Sequence, residues 1–235
     1  MILAGGVGAR FWPASTPNRP KQLLSLATEH PLVVDTFRRS EGIVSSENIR
    51  LLANADITEA FRTLPEKWEE TVYWIEPQAK GTCAALAWAA WSIEKECPGA
   101  VMISLHSDHR IEPLQAFQEA ISVAVEVARE HEALVCLGVK PDRTETGYGH
   151  IELGERISIR SRIEAYAVSA FHEKPDAINA ELYTQKGYLW NTGMFVWKAS
   201  TFLNEVRVNA PEVGACLPLL EDSPEAFFDA VPEGP

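Results

Sequence analysis

Short apolar runs alternate with helix-spaced apolar positions over most of the chain. Residues 2–4 read as a strand cut off by Gly5-Gly6, and 31–39 as a helix with Pro31 suited to its first turn. A strand over 49–53 precedes a helix starting near Asp56, which is a suitable N-cap. Residues 71–75 form a third strand, 82–96 a helix rich in alanine and tryptophan, and 101–105 a fourth strand. The longest helix is expected over 112–130, followed by a strand over 134–139. Apolar and polar residues then alternate over 148–153 and again over 162–171. A helix over 175–186, a strand over 193–197 and helical sequence beyond Ala199 complete the pattern.

Strands alternating with helices imply an α/β fold whose sheet is mostly parallel, with helices on both faces. The strands are continuously apolar, as burial on both faces requires. The alternation after Pro141 reads as an antiparallel insertion carrying part of a binding site. With no internal repeat, low-complexity tract or linker, residues 1–235 are expected to form one domain.

Composition narrows the function classes. At 46% hydrophobic and 23% charged, the chain is ordinary globular protein and neither disordered nor collagen-like. No apolar run approaches the roughly 20 residues that span a membrane. The start, MILAGGVGAR, has neither the basic n-region nor the apolar core of a secretory signal. Twenty-one basic against 33 acidic side chains give a net charge of -12. Such a surface repels nucleic acid and anionic lipid, so neither is expected as a partner, and an anionic ligand must be held by a local pocket. Cys83, Cys97, Cys136 and Cys216 form no CxxC pair, which argues for reduced, buried thiols in a cytoplasmic protein.

The richest local chemistry is at the amino terminus, where a strand runs into GGVGARFWPAS and then Pro20-Lys21-Gln22. Gly5, Gly6 and Gly8 allow positive φ and bring amide N–H groups against phosphate oxygens. Arg10 adds a planar, permanently charged fork and Lys21 a mobile point charge, which together suit a triphosphate. A Walker loop is excluded because no lysine follows at its spacing, and a dinucleotide fingerprint fails because Phe11 stands where the third glycine belongs.

The run ILAGGVGARFWPAS…RPKQ resembles the signature of the sugar-phosphate nucleotidyltransferases, and its Phe-Trp-Pro wording resembles the mannose-1-phosphate guanylyltransferases among them. Later segments match in order. EPQAKGTCAA from Glu76 resembles the base-recognition loop, with Lys80 and Gly81 where the usual wording has Arg and Asn. His106-Ser107-Asp108-His109 resembles the metal loop, and GVKPDRTETGYGHI from Gly138, FHEKP from Phe171 and WNTGMFVW from Trp190 are close to family wording. The resemblance covers nearly the whole chain. It implies a Rossmann-like, glycosyltransferase-A-like three-layer sandwich with a mixed, mostly parallel sheet.

It also implies transfer of GMP from GTP to α-D-mannose 1-phosphate with Mg²⁺ as cofactor, and it leaves a homodimer open. Arg10 and Lys21 would be catalytic, and Leu3, Gly5, Gly6, Gly8 and Gly81 would bind the nucleotide. Gly147 would present backbone N–H groups to the sugar, Asn191 and Glu173 would bind the hexose, and Lys174 would bind its 1-phosphate. Asp108 would bind the metal; read alone, it could equally cap the helix that follows. His106 and His109 are expected to be loop structure, and Trp88 and Trp91 core packing. Alternative functions are the same chemistry with another nucleotide or hexose, and a non-catalytic sugar-nucleotide-binding homologue. Members of the family usually run longer, so this chain is expected to hold most of a catalytic domain, without the second metal-binding Asp or the β-rich carboxy-terminal domain.

Overall fold

The computed structural model describes residues 1–6, 11–16, 19–26 and 28–233. Strands β1 (Ile2–Leu3), β2 (Leu51–Ala53), β3 (Tyr73–Ile75) and β4 (Val101–His106) lie parallel in the order β3-β2-β1-β4. Between them run α1 (Leu32–Glu41), α2 (Ala55–Arg62) and α3 (Thr82–Glu96). After α4 (Leu114–Glu130) come β5 (Val135–Val139), β6 (His150–Ile157), β7 (Ala165–His172), α5 (Ala177–Gln185) and β8 (Leu189–Lys198). Helices α6 (Ala199–Asn209), α7 (Pro211–Gly214) and α8 (Pro224–Ala230) follow. β8 is antiparallel to β4, β5 and β6, and β7 is antiparallel to β6, so only β7 and β8 oppose the common strand direction.

β1, β2 and β4 are largely apolar because both faces of that part of the sheet are covered, whereas β6 and β7 carry exposed positions. Leu51 and Ala53 of β2 pack with Val33, Phe37, Ile57 and Phe61 of α1 and α2. Leu52, between them, faces the opposite side and joins α3, α6 and α8 through Trp88, Phe202, Phe227 and Phe228. α4 covers the first face farther along, with Phe117, Ile121, Ala124 and Ala128 against Leu105, Met194 and Val196. In α3 every residue from Ala84 to Ala90 is buried. A helix apolar all round must be enclosed, and its alanines let the sheet and the carboxy-terminal helices approach from both sides.

One strand organises the right half of the sheet. Phe195 of β8 is opposite Ser104 of β4 on one edge and Cys136 of β5 on the other. Farther back, Trp190 is opposite His150 of β6 and Val139 of β5. β5 therefore takes one edge of β8, while β4 and β6 share the other and leave a gap between them.

Several sequence expectations need correction. β8 begins at Leu189 rather than 193, since Asn191-Thr192-Gly193, which reads as a turn, is a kink within the strand. The cap of α2 is Asn54, whose Oδ1 accepts from the Ile57 N–H at 2.9 Å; Asp56 lies inside the first turn, where its charge suits the helix dipole. The four cysteines are free, as expected, but none is buried. Cys83 and Cys97 are exposed at the two ends of α3, and Cys136 and Cys216 are half-buried. Trp88 is core, edge-on to Phe228, and Trp91 packs against the same core with part of its ring exposed beneath the Lys95 ammonium. Among the described residues no helix is long and apolar enough to cross a membrane.

Candidate active site

Parallel strands end on the same edge of the sheet, which is where open α/β sheets collect ligands. The Gly5-Gly6 turn follows β1, Asn54 follows β2, Glu76 through Gly81 follow β3, and Asp108 follows β4. The Leu3 carbonyl accepts from the Ser107 N–H at 3.1 Å, which ties the ends of β1 and β4 together. The turn itself is held from beneath by Gln22, a fully buried side chain. Its Nε2 donates to the carbonyls of Ala4 at 2.6 Å, Gly5 at 3.2 Å and Gly6 at 3.3 Å. Gly6 has φ +95°, and the N–H groups of Gly5 and Gly6 donate to nothing among the described residues. Gly8 and Arg10 lie outside the described residues.

Lys21 opens a single 3-10 turn, and its Nζ reaches Asp108 Oδ2 at 2.5 Å, with both side chains about one-fifth exposed. Burial pushes the Asp108 carboxyl up, but the Lys21 hydrogen bond and charge, with smaller help from His109 and His106, hold it below the usual carboxylate range. Burial also pulls both histidines below the usual imidazole range, against the opposing charge of Asp108. His106 packs against Gly193, where φ is +70° and an added Cβ would sit 2.8 Å from His106 Nε2. Among the described residues, no three His, Cys, Asp or Glu side chains gather as a metal cage.

A cleft of about 720 Å³ opens at the gap between β4 and β6. It brings together Lys21, Asp108, Gly147, Glu173 and Asn191 from five separate segments. Asn191 is anchored by its N–H to the Gly149 carbonyl at 2.8 Å. Its Oδ1 accepts from the Gly193 N–H at 3.0 Å, leaving its amide donors without partners among the described residues. The end of β7 comes so close that a Cβ on Gly149 would lie 2.8 Å from Glu173 Oε2. One expectation changes: the Gly147 N–H, read as facing a sugar, is taken by Glu145 Oε1 at 3.0 Å. Lys174, at φ +42°, pairs with Glu173 at 2.8 Å with both side chains more than half exposed, and it stands outside the cleft lining.

Gly81 is not in this cleft. It caps α3 with φ +89° and no side-chain cap, so the positive end of a 15-residue helix is open beside the loop after β3. In that loop burial pushes Glu76 up to about 7, and a hydrogen bond from the Lys80 backbone only partly offsets it.

Sequence reasoning assigned no role to Gln22, Glu76 or the corner where Arg143 lies 5.1 Å from the Trp190 ring and Tyr148 meets Trp190 edge-on. Gln22 and Glu76 were visible as motif neighbours, but only packing shows what each side chain meets.

The nucleotidyl transferase family model matches residues 1–233. The chain belongs to the nucleotidyl transferase family. Among its relatives, it is 37% identical over 225 residues to the xanthan biosynthesis protein XanB of Xanthomonas campestris, covering 92% of this chain and 45% of that one. It is 34% identical over 219 residues to the mannose-1-phosphate guanylyltransferase RfbM of Salmonella typhimurium, covering 91% and 44%. This nucleotidyl transferase chain thus spans under half the length of these relatives. A solved structure from Thermus thermophilus, described as a mannose-1-phosphate geranyltransferase, superposes with a TM-score of 0.89 at 31% identity, covering 99% of this chain and 67% of that one. That match bears out the mixed, mostly parallel, Rossmann-like fold.

Proposed function

We propose that this nucleotidyl transferase domain transfers GMP from GTP to α-D-mannose 1-phosphate, giving GDP-mannose and pyrophosphate. The observation that carries the reading is the Lys21–Asp108 pair, set between the Gln22-clasped glycine turn and the cleft that holds Glu173 and Asn191. Its neighbours on both sides offer complementary chemistry for a triphosphate and for a sugar phosphate.

A phosphate oxygen of mannose 1-phosphate attacks the α-phosphorus of GTP. The new P–O bond forms as the bond to the bridging oxygen breaks, and pyrophosphate leaves with the electron pair. A phosphate dianion is already a competent nucleophile, so no general base is needed, and catalysis comes from positioning and charge neutralisation. The N–H groups of Gly5, Gly6 and Gly8, with Arg10 and Lys21, offset triphosphate charge. Gly81 and the start of α3 admit the base. The half-buried Glu76 carboxylate accepts from guanine N1–H and N2–H₂, a donor pair that adenine lacks. Across the cleft, Asn191 and Glu173 bind hexose hydroxyls; Lys174, which lies outside the cleft lining, leaves Glu173 and turns inward to take the 1-phosphate.

The donor set at Asp108 fits Mg²⁺. A hard cation is satisfied by one or two protein carboxylates together with phosphate oxygens and water, and Asp108 lies within the cleft. When bound, Mg²⁺ would neutralise charge on the phosphates undergoing transfer. Four unpaired thiols fit a reducing, cytoplasmic setting.

The test is a panel of nucleoside triphosphates against several hexose 1-phosphates, read by pyrophosphate release with and without Mg²⁺. Preference for GTP with mannose 1-phosphate is the expected result. Binding of GDP-mannose without turnover of any pair would replace the enzyme by a sugar-nucleotide sensor.

A further inference from the structure

Past β4 the chain leaves the sheet. Ser107 is still tied to Leu3, but residues 108–113 make no ladder hydrogen bond. Among the described residues, two hydrogen bonds fasten residues 108–112 to the rest of the molecule. One runs from Lys21 Nζ to Asp108 Oδ2, and the other from Arg39 Nη2 to the His109 carbonyl at 3.2 Å. The Arg110–Glu112 pair is internal to the segment.

Arg39 is unusual for its position. It points inward from α1 with 8% of its surface exposed and makes no ion pair among the described residues. Nη2 also bonds Thr36 Oγ1 on its own helix at 3.0 Å, the guanidinium lies 5.6 Å from the Phe117 ring of α4, and Nε is buried without a partner. Burying a cation with so few partners is costly, and a methionine could fill the same space between α1 and α4 without that cost. Packing alone therefore does not account for an arginine.

We infer that Arg39 is a positioning residue that fixes the Asp108–His109 turn through the His109 carbonyl, keeping the Asp108 carboxylate in the cleft when Lys21 turns to the triphosphate. The inference rests on the reading of Asp108 as the metal-binding carboxylate. The two ties differ in kind. Lys21 lines the cleft, and its ammonium is open to competition from phosphate oxygens, as Asp108 is from a divalent cation. Arg39 does not line the cleft and reaches the turn from behind, so neither substrate competes for it. Its planar fork gives the bond a direction that a point charge lacks.

Mn²⁺ binding followed by electron paramagnetic resonance, with GTP present, reads this directly, and kcat and KM for GTP are measured alongside. Arg39→Met should weaken Mn²⁺ binding about tenfold, as expected for losing one charge-assisted hydrogen bond, and lower kcat while KM for GTP changes little. Arg39→Lys, which keeps the charge and one reachable donor but not the fork's direction, should recover part of the loss and leave binding about threefold weaker than wild type. A folded Arg39→Met protein with Mn²⁺ binding within about twofold of wild type would overturn the inference, because a purely structural arginine lowers Tm without moving metal affinity. If Arg39→Met does not fold, Arg39→Lys decides alone: about threefold weaker Mn²⁺ binding supports the role, and unchanged binding overturns it. Asp108→Asn separates the two levels. Unchanged Mn²⁺ binding in that variant defeats the metal reading and the inference with it, whereas loss there with none in Arg39→Met defeats the inference alone.

Discussion

Replacing Glu76 by glutamine removes one ionisable oxygen pair and keeps the shape, so it isolates what burial has done to this carboxyl. Burial raises Glu76 from 4.5 to about 7. Between those values the folded protein holds a proton that the unfolded chain has already lost, so wild-type stability falls as pH rises through the window. Each pH unit is worth about 1.4 kcal/mol, which sets an upper limit of about 3 kcal/mol for the window, and solvent screening of a partly exposed group reduces it to about 1–2 kcal/mol. Glutamine has no such dependence. The melting temperature of Glu76→Gln should therefore match wild type near pH 5 and exceed it by about 4 °C near pH 8, most of the gap opening below about pH 7. Bound guanine acts in the opposite sense, because its N1–H and N2–H₂ donors favour the ionised carboxylate. Titration calorimetry should show wild-type GTP affinity rising as pH passes through about 7, with Glu76→Gln weaker and flat. A melting-temperature gap that is constant from about pH 5 to pH 8.5 would refute the burial argument. A rising gap with pH-independent GTP affinity would leave the burial intact and remove Glu76 from the base site.

Three other substitutions test the remaining parts of the site. Lys21→Met should keep the fold, seen by circular dichroism, and cut kcat for pyrophosphate release by about 10²–10³-fold, the scale of losing one preorganised charge partner. Near-normal turnover would remove Lys21 from the mechanism. Gln22→Leu leaves the carbonyls of residues 4–6 without their donor; it should cost about 1–3 kcal/mol in urea unfolding and raise KM for GTP more than KM for mannose 1-phosphate. Gly193→Ala forces a Cβ to 2.8 Å from His106 at positive φ, so it should destabilise by about 1–3 kcal/mol and reduce activity, and a neutral result would show that β8 can relax at its kink.

The legible parts of this protein are those where neighbours in sequence stay neighbours in space. β1 running into glycines, β4 leading into Asp108, and Asn191 beside Gly193 were all readable from local pattern, because a strand end and its following loop share one edge of the sheet. Gln22 was not, since its effect lies in a side chain reaching back 16 to 18 residues to three carbonyls. Arg39 reaches 70 residues forward, and nothing local distinguishes it from its neighbour Arg38, which pairs with Glu66 near the surface. The start of β8 was hidden because Asn-Thr-Gly carries turn chemistry, and pairing of Leu189 to Asn191 with β6 and β5 overrides it. Gly147 shows the limit from the other side. The glycine was found, but its N–H had a local acceptor two residues back.

The shared edge of β8 bears on how the two halves of the site are kept in register. β4, which delivers Asp108, and β6, which continues from the Gly147–Gly149 loop, are fastened to the same edge of one strand. Ser104 is anchored at Phe195 and His150 at Trp190. Five residue steps along β8 separate those anchors, at most about 17 Å. The distance between the Asp108 loop and the Gly147–Gly149 loop is thus set by one covalently continuous segment with β5 paired along its other edge. Bringing a phosphate nucleophile to a phosphorus in line requires that kind of fixed spacing, since small misplacements cost orders of magnitude in rate. On the proposed function, a sequence whose net charge is -12 would bind two anionic substrates without a broadly basic surface. Its favourable groups are few, local and held in place by the sheet that carries them.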